Sequence, residues 1–336
     1  DRVYAESGND TINSNSGNDT VYAGAGNDTI SGANGNDFLY GDAGNDLVSG
    51  NNGDDVIYVF DNAGRDTLSG GNLVETTGDT LDASGVTTAI TVDFGTNGEN
   101  GTIVFGADTL TFTQFERVLV GAQNDTINGV ASTVGITMNT GGGDDSITGG
   151  SGADSFEGGA GNDTISGGGG NNTLSGGDGN DRIISGAGND SLSGGIGADT
   201  FVISNAMGAD TILGGTGSDG TGDIIDASAV TANLTATYST ASDGTLVEGA
   251  STSTFSEIES IIFGSGADTV IATSVTTAMT MSTGGGADDI QMGSAGDLVY
   301  AGDGNDLIYS NAGDDTVYGG LGADSAFGGD GNDLIY

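Results

Sequence analysis

The residue whose spacing could do chemistry in this chain is aspartate. It recurs every nine residues as Asp10, Asp19, Asp28, Asp37, Asp46 and Asp55. A glycine stands two positions before each one (Gly8, Gly17, Gly26, Gly35, Gly44, Gly53), and an apolar residue stands two positions after (Ile12, Val21, Ile30, Leu39, Val48, Ile57). The spacing returns at Asp145, Asp154, Asp163, Asp181, Asp190 and Asp199, then at Asp288, Asp297, Asp306, Asp315, Asp324 and Asp333. Carboxylates at so short a period must be neutralised. The donors available are carboxylates, amides, hydroxyls and backbone carbonyls, and calcium is the cation that best suits six to eight such oxygens in a flexible site. An isolated aspartate here would be a turn residue, since Asn-Asp and Gly-Asp pairs form turns; a ladder of them points to metal. Asn172 fills one aspartate slot, and that site is expected to be weaker.

The rest of the composition closes other routes. Among 336 residues there are 48 acidic and four basic side chains, for a net charge of −44. The basic four are Arg2, Arg65, Arg117 and Arg182. Such an anionic surface repels nucleic acid and anionic lipid. There is no cysteine for disulfides or thiolate chemistry, and no histidine or lysine to act as a base beside a nucleophile. No catalytic residue is therefore expected. No apolar run approaches the roughly 20 residues of a membrane span.

Something must hold the aspartates in register. A fixed short period in a long chain means stacked units that each contact their neighbours. Glycine supplies 67 residues, allowing positive φ and close approach of turn backbones. Three residues then form a short strand whose middle side chain points inward. Two nonapeptides make one coil with a turn on each edge. Asp10, Asp28 and Asp46 stack on one edge, and Asp19, Asp37 and Asp55 on the other. One coil buries only two large apolar side chains against the ordering of eighteen backbones, so folding is expected to need the metal.

From residue 23 the chain runs AGAGNDTIS, GANGNDFLY, GDAGNDLVS, GNNGDDVIY. The consensus G-G-x-G-x-D-x-U-x, with U large and apolar, resembles the repeats-in-toxin (RTX) nonapeptide of haemolysin-type calcium-binding proteins. The resemblance implies an all-β fold, a calcium-bound parallel β-helix or β-roll. It also implies that each ion lies between successive turns of one edge, held by aspartates and turn carbonyls of both. One ion per turn would make about 20, adding about +40 against −44. The Asn-Asp-Thr triplets, as at Asn27, also match a glycosylation sequon, but the nonapeptide already accounts for them.

Two interruptions match each other. Gly78-Asp79-Thr80-Leu81-Asp82-Ala83-Ser84 resembles Gly222-Asp223-Ile224-Ile225-Asp226-Ala227-Ser228, and Phe112 through Asp125 resembles Phe255 through Asp268. Asp55 to Asp66 and Asp199 to Asp210 both lengthen to eleven residues. Asp66, Asp125, Asp210 and Asp268 thus extend the candidate metal ligands. The expected organisation is unit one at 1–144 (interruption about 70–124), unit two at 145–287 (interruption about 214–267) and a partial unit at 288–336. The interruptions carry alternating strands, as at Ile90, Val92 and Phe94, and are expected to be wider, irregular coils. Glu116, Glu259, Asp82 and Asp226 are either extra ligands or solvated surface acids. Asp1 aligns with Asp145 and Asp288, and neither end shows a capping repeat, so the chain is expected to be a window on a longer protein; an intact mass of the natural chain near 32.7 kDa would contradict this.

The third residue after the aspartate faces outward. Tyr4, Tyr22, Tyr40 and Tyr58 form one row at eighteen-residue spacing, Tyr300, Tyr318 and Tyr336 another, and Tyr309 lies between; Ser166, Ile184 and Val202 stand at the positions equivalent to Tyr22, Tyr40 and Tyr58. The rows are either a contact surface or strand-stabilising stacks. Two functions fit the whole. One is a calcium-rigidified structural repeat of a secreted bacterial cell-surface protein, of the surface-layer or large-adhesin kind, self-associating into a layer, filament or stalk. The other is the secretion and folding module of a larger toxin or hydrolase. For both, the resemblance implies type I secretion, with folding outside the cell where calcium is abundant. Ice binding, known for some such solenoids with threonine rows, finds no row here: Ser7, Ser16, Ala25, Asn34, Ala43 and Asn52 occupy that position.

Overall fold

The structure is a computed structural model and describes residues 1–71, 78–216 and 222–336. The parts of the two interruptions at 72–77 and 217–221 lie outside the described residues. Among the described residues there are strands and no helix. Two compact units span Asp1–Gly169 and Gly170–Tyr336.

Each unit is a parallel β-solenoid with the two-nonapeptide coil expected from the period. In the first, Thr11–Asn13 pairs with Thr29–Asn34, and Thr20–Tyr22 pairs with Phe38–Tyr40. The register puts Ile12 against Ile30 and Val21 against Leu39. In the second, Leu298–Asp303 pairs with Thr316–Leu321 and Leu307–Tyr309 with Ser325–Phe327, again eighteen residues apart. A strand of three residues buries only its middle side chain. Val21, Ile30, Leu39, Val48 and Ile57 are 0–1 % exposed and form the core, while their neighbours face out. β-Branched residues dominate because they fill a pleated, tightly stacked interior.

The interruptions are fold-backs. In the first unit Ile90–Phe94, Gly101–Phe105 and Asp108–Thr113 form an antiparallel meander. Its outer strands rejoin the solenoid in parallel, with Thr111 against Thr67 and Thr91 against Thr126. The second unit repeats this with Leu234–Tyr238, Gly244–Glu248 and Ser251–Ser256. There Thr254 lies against Thr211 and Thr235 against Thr269. Each meander makes its first turn through a longer loop, 95–100 or 239–243, and its second through a two-residue hairpin with a glycine at positive φ, Gly106 at 55° and Gly249 at 60°. Aromatic edges seal both: Phe94 meets Phe112 at 5.6 Å, and Tyr238 meets Phe255 at 5.3 Å.

The tyrosine rows are stacks. Ring centroids lie 5.0 Å apart for Tyr4 and Tyr22, and 4.5 Å apart for both Tyr22–Tyr40 and Tyr40–Tyr58. In the second unit Tyr300–Tyr318 and Tyr318–Tyr336 stack at 5.0 and 4.7 Å, and Tyr309 stacks on Phe327 at 4.9 Å.

Candidate metal centre

The turn geometry begins with glycine. Position one of each nonapeptide, five residues before the aspartate, is an inward-facing site. Where it is glycine, a Cβ would strike the aspartate's own Oδ2: 2.4 Å for Gly32 and Asp37, 2.6 Å for Gly41 and Asp46, 2.1 Å for Gly176 and Asp181. At Gly32 the carbonyl of Gly50, position one of the next coil, lies 2.9 Å from the same point. At Gly149 the Asp154 Oδ2 and the Gly167 carbonyl lie 2.3 and 2.5 Å from it. A carboxylate oxygen and a carbonyl oxygen of successive coils thus converge beside a bare Cα.

The other carboxylate oxygen has a different task. The Asp10 N–H donates to Asp28 Oδ1 and the Asp28 N–H to Asp46 Oδ1, both at 2.8 Å. The Asp46 N–H reaches Asp66 Oδ1 at 2.8 Å across the longer spacer. On the opposite edge Asp19 donates to Asp37 and Asp37 to Asp55, at 2.8 and 2.7 Å. Asp125, Asp145 and Asp163 form the same ladder, and Ile136 donates to Asp154. In the second unit the rungs join Asp190 to Asp210, Asp181 to Asp199, and Asp268 to Asp288, Asp306 and Asp324. Asp297, Asp315 and Asp333 complete the set. Every nonapeptide aspartate singled out by its spacing therefore sits in one of these edge ladders.

Oδ1 is thus held by an amide, while in several of the aspartates Oδ2 is left over. Asp19, Asp28, Asp37, Asp46, Asp210, Asp306 and Asp315 each bury an Oδ2 with no hydrogen-bond partner. A buried unpaired carboxylate oxygen is costly unless a proton or a cation meets it. Burial is the main force raising seven of the ladder's carboxyls to about 6 or 7. Asp37, Asp46, Asp125, Asp210 and Asp268 are pushed up to about 6, and Asp66 and Asp145 to about 7. The donated backbone amides pull the other way, and neighbouring aspartates add repulsion at Asp37, Asp46 and Asp66. Among the described residues no three carboxylates cluster. The donor set is then one carboxylate per coil plus turn carbonyls, all hard oxygens, which fits calcium. When bound, the ion would supply charge compensation and cross-link successive coils.

The ladder also includes residues that the nine-residue spacing does not mark. Asp79 and Asp223 accept from Asp55 and Asp199 at 2.7 and 2.8 Å, although 24 residues separate each pair. Glu116 and Glu259 then take the following rung, their Oε2 accepting the Asp79 and Asp223 N–H at 2.6 Å. Asp82 and Asp226 do not join. They bond the Ser84 and Ser228 amides two residues on. A second ladder runs beside the first in the opposite sense. The Asn27 N–H donates back to Asn9 Oδ1, Asn45 to Asn27, and Asn189 to Asn171, each at 2.9 Å. Where an asparagine precedes the aspartate, as at Asn27 and Asn45, it is therefore a structural partner, and adjacent residues clasp opposite neighbours.

Asn172 holds its slot differently. Its N–H still donates to Asp190 Oδ1 at 2.7 Å, but its amide group leans on the Gly170 carbonyl at 3.4 Å. An NH2 thus points at a turn carbonyl. Replacing Asn172 with Asp is expected to lower the calcium concentration at half-folding, read by circular dichroism. An unchanged or higher midpoint would rule out a ligand role for this slot.

Residues 1–30, 31–59, 137–165, 166–201, 292–326 and 310–336 match the RTX calcium-binding nonapeptide repeat (4 copies). The chain belongs to this RTX family. The matched windows cover about half of it and leave out both fold-backs. An RTX chain of this kind is a calcium-binding repeat region of a secreted protein, and its β-roll is a structural repeat fold. No curated protein matches the RTX chain. Among solved structures, the extracellular lipase LipA from Serratia marcescens is similar at 15% identity and a TM-score of 0.20, over 72% of this chain and 38% of that one. The RTX chain thus spans well under half the length of that lipase. Among the described residues no helix is long and apolar enough to cross a membrane.

Proposed function

We propose that this RTX chain is a calcium-stabilised structural repeat of a bacterial cell-surface protein, part of an extracellular layer, filament or adhesin stalk. It leaves the cell unfolded by type I secretion and folds where calcium is abundant. The observation that supports a structural role is the recurrence of one large design: the same fold-back at 90–113 and at 234–256, each flanked by aspartate-edged coils. This favours long-period units of about 144 residues, with aspartates from Asp10 to Asp333 as the calcium ligands and coil-to-coil growth as the building principle.

Imaging the chain at millimolar calcium and after chelation tests the proposal. Ordered filaments or sheets that dissolve on chelation support it. Monomeric rods in calcium would leave a stalk or the folding module of a larger toxin or hydrolase. A variant with Tyr22, Tyr40 and Tyr58 changed to serine is expected to assemble less while still folding with calcium. Unimpaired assembly would exclude the tyrosine row as an interface and leave it as a stack worth about 0.5–1.5 kcal/mol per pair.

A further inference from the structure

Position one is not always glycine. It is Ser14 before Asp19, Thr140 before Asp145, Thr283 before Asp288 and Ser310 before Asp315. All four hydroxyl residues are buried, Thr140, Thr283 and Ser310 at 0 % exposure and Ser14 at 6 %. Each hydroxyl donates to the same target, the position-one carbonyl of the next coil. Ser14 Oγ reaches Gly32 O at 2.6 Å, Thr140 Oγ1 reaches Gly158 O at 2.8 Å, Thr283 Oγ1 reaches Ala301 O at 2.9 Å, and Ser310 Oγ reaches Gly328 O at 3.0 Å. In the glycine turns this carbonyl converges with an aspartate Oδ2, as at Gly32 and Gly149.

We infer that these four hydroxyls close their turns to calcium, so that the chain carries two kinds of turn rather than one uniform metal ladder. The inference rests on the calcium reading proposed above and adds which turns hold an ion. A cation needs the carbonyl lone pair that faces the carboxylate, and here an O–H already occupies it. The hydroxyl proton serves the carbonyl and not the carboxylate: Asp19, Asp145, Asp288 and Asp315 keep an Oδ2 with no hydrogen-bond partner, so a closed turn still bears its carboxylate's burial cost and gains the coil-to-coil bond. A closed turn keeps its coil contact when calcium is scarce, whereas an open turn does not. The ion count then falls below one per turn. Ser185, which takes the same position before Asp190, is a separate case: its buried Oγ has no partner.

Counting bound calcium per chain by native mass spectrometry tests this, with circular dichroism to verify folding in calcium. The test variant carries Ser14→Ala, Thr140→Ala, Thr283→Ala and Ser310→Ala. Alanine already stands at this position before Asp28 and Asp306, as Ala23 and Ala301, so the methyl is accommodated. The variant is expected to bind up to four more ions than the parent chain. The converse changes, Ala23→Ser and Ala301→Ser, install a hydroxyl and are expected to lose one ion each. These two keep the inference testable if the fourfold variant does not fold. An unchanged count would overturn the inference. A lower count in the fourfold variant would also overturn it, by making the hydroxyls ligands. A parent chain that binds no calcium would instead defeat the calcium reading itself.

Discussion

In a chelator the chain is expected to lose its β signal at neutral pH and to regain part of it at about pH 5. The sign follows from the ladder. Burial raises Asp37, Asp46, Asp125, Asp210 and Asp268 from the ordinary 3.8 to about 6, and Asp66 and Asp145 to about 7. A group whose folded value lies above its unfolded one binds its proton more tightly in the fold. Its stabilising contribution is complete below about pH 4 and is lost as pH rises through 6 to 7. The metal-free solenoid is therefore least stable where its carboxylates ionise, at neutral pH, and protons can stand in for the ion below that. With calcium present the dependence inverts, since acid now competes with the metal. Far-UV circular dichroism across pH in chelator checks the result. A calcium-free chain with full β signal at neutral pH, or one that gains none on acidification, would contradict the coupling of fold to charge.

The second large effect is steric. Gly26 has φ +140°, and a Cβ there would lie 1.7 Å from the Gly8 carbonyl of the preceding coil. That atom is backbone and cannot rotate away. Gly26→Ala is expected to destabilise the calcium-loaded chain by about 3 kcal/mol or more, combining backbone strain with overpacking. Gly249→Ala is the control. Gly249 has a positive φ of +60° but nothing within 4 Å of its Cβ, so only the strain of about 1–2 kcal/mol applies. Urea melts in saturating calcium would separate the two. Equal losses would mean that close coil stacking at this edge does not limit stability.

The regular coils were legible because their period carries the physics twice. Nine residues place an aspartate on an edge, and the apolar residue two positions on reaches the core, as at Asp37 and Leu39. The fold-backs were legible only as strands. The alternation at Ile90, Val92 and Phe94 marks buried faces but not direction, because an antiparallel partner and a parallel one want the same side chains. Direction is set by tight glycine turns at Gly106 and Gly249, whose short Gly-Ala loops stand out less than Asn-Gly would. Asp79 and Asp223 escaped the spacing because 24 residues instead of eighteen separate each from its partner, while the rung itself stays 2.7–2.8 Å long. Glu116 and Glu259 could be placed by sequence only as ligands or surface acids; the longer side chain lets them reach a rung from an exposed position. The asparagine ladder was hidden because Asn before Asp already suits a turn, leaving its coil-to-coil bond without a distinct signal.

The opposed aspartate and asparagine ladders have a mechanical consequence. They tie each coil to the neighbour on either side, so a pull between the two ends of a unit loads both ladders at once. A coil in place advances the backbone by ~4.8 Å, whereas its eighteen residues pulled straight span up to about 60 Å. Each coil surrendered thus lengthens more than tenfold while the remaining rungs hold. Under tension such a unit would yield coil by coil, a store of slack released in steps, instead of parting at a single point.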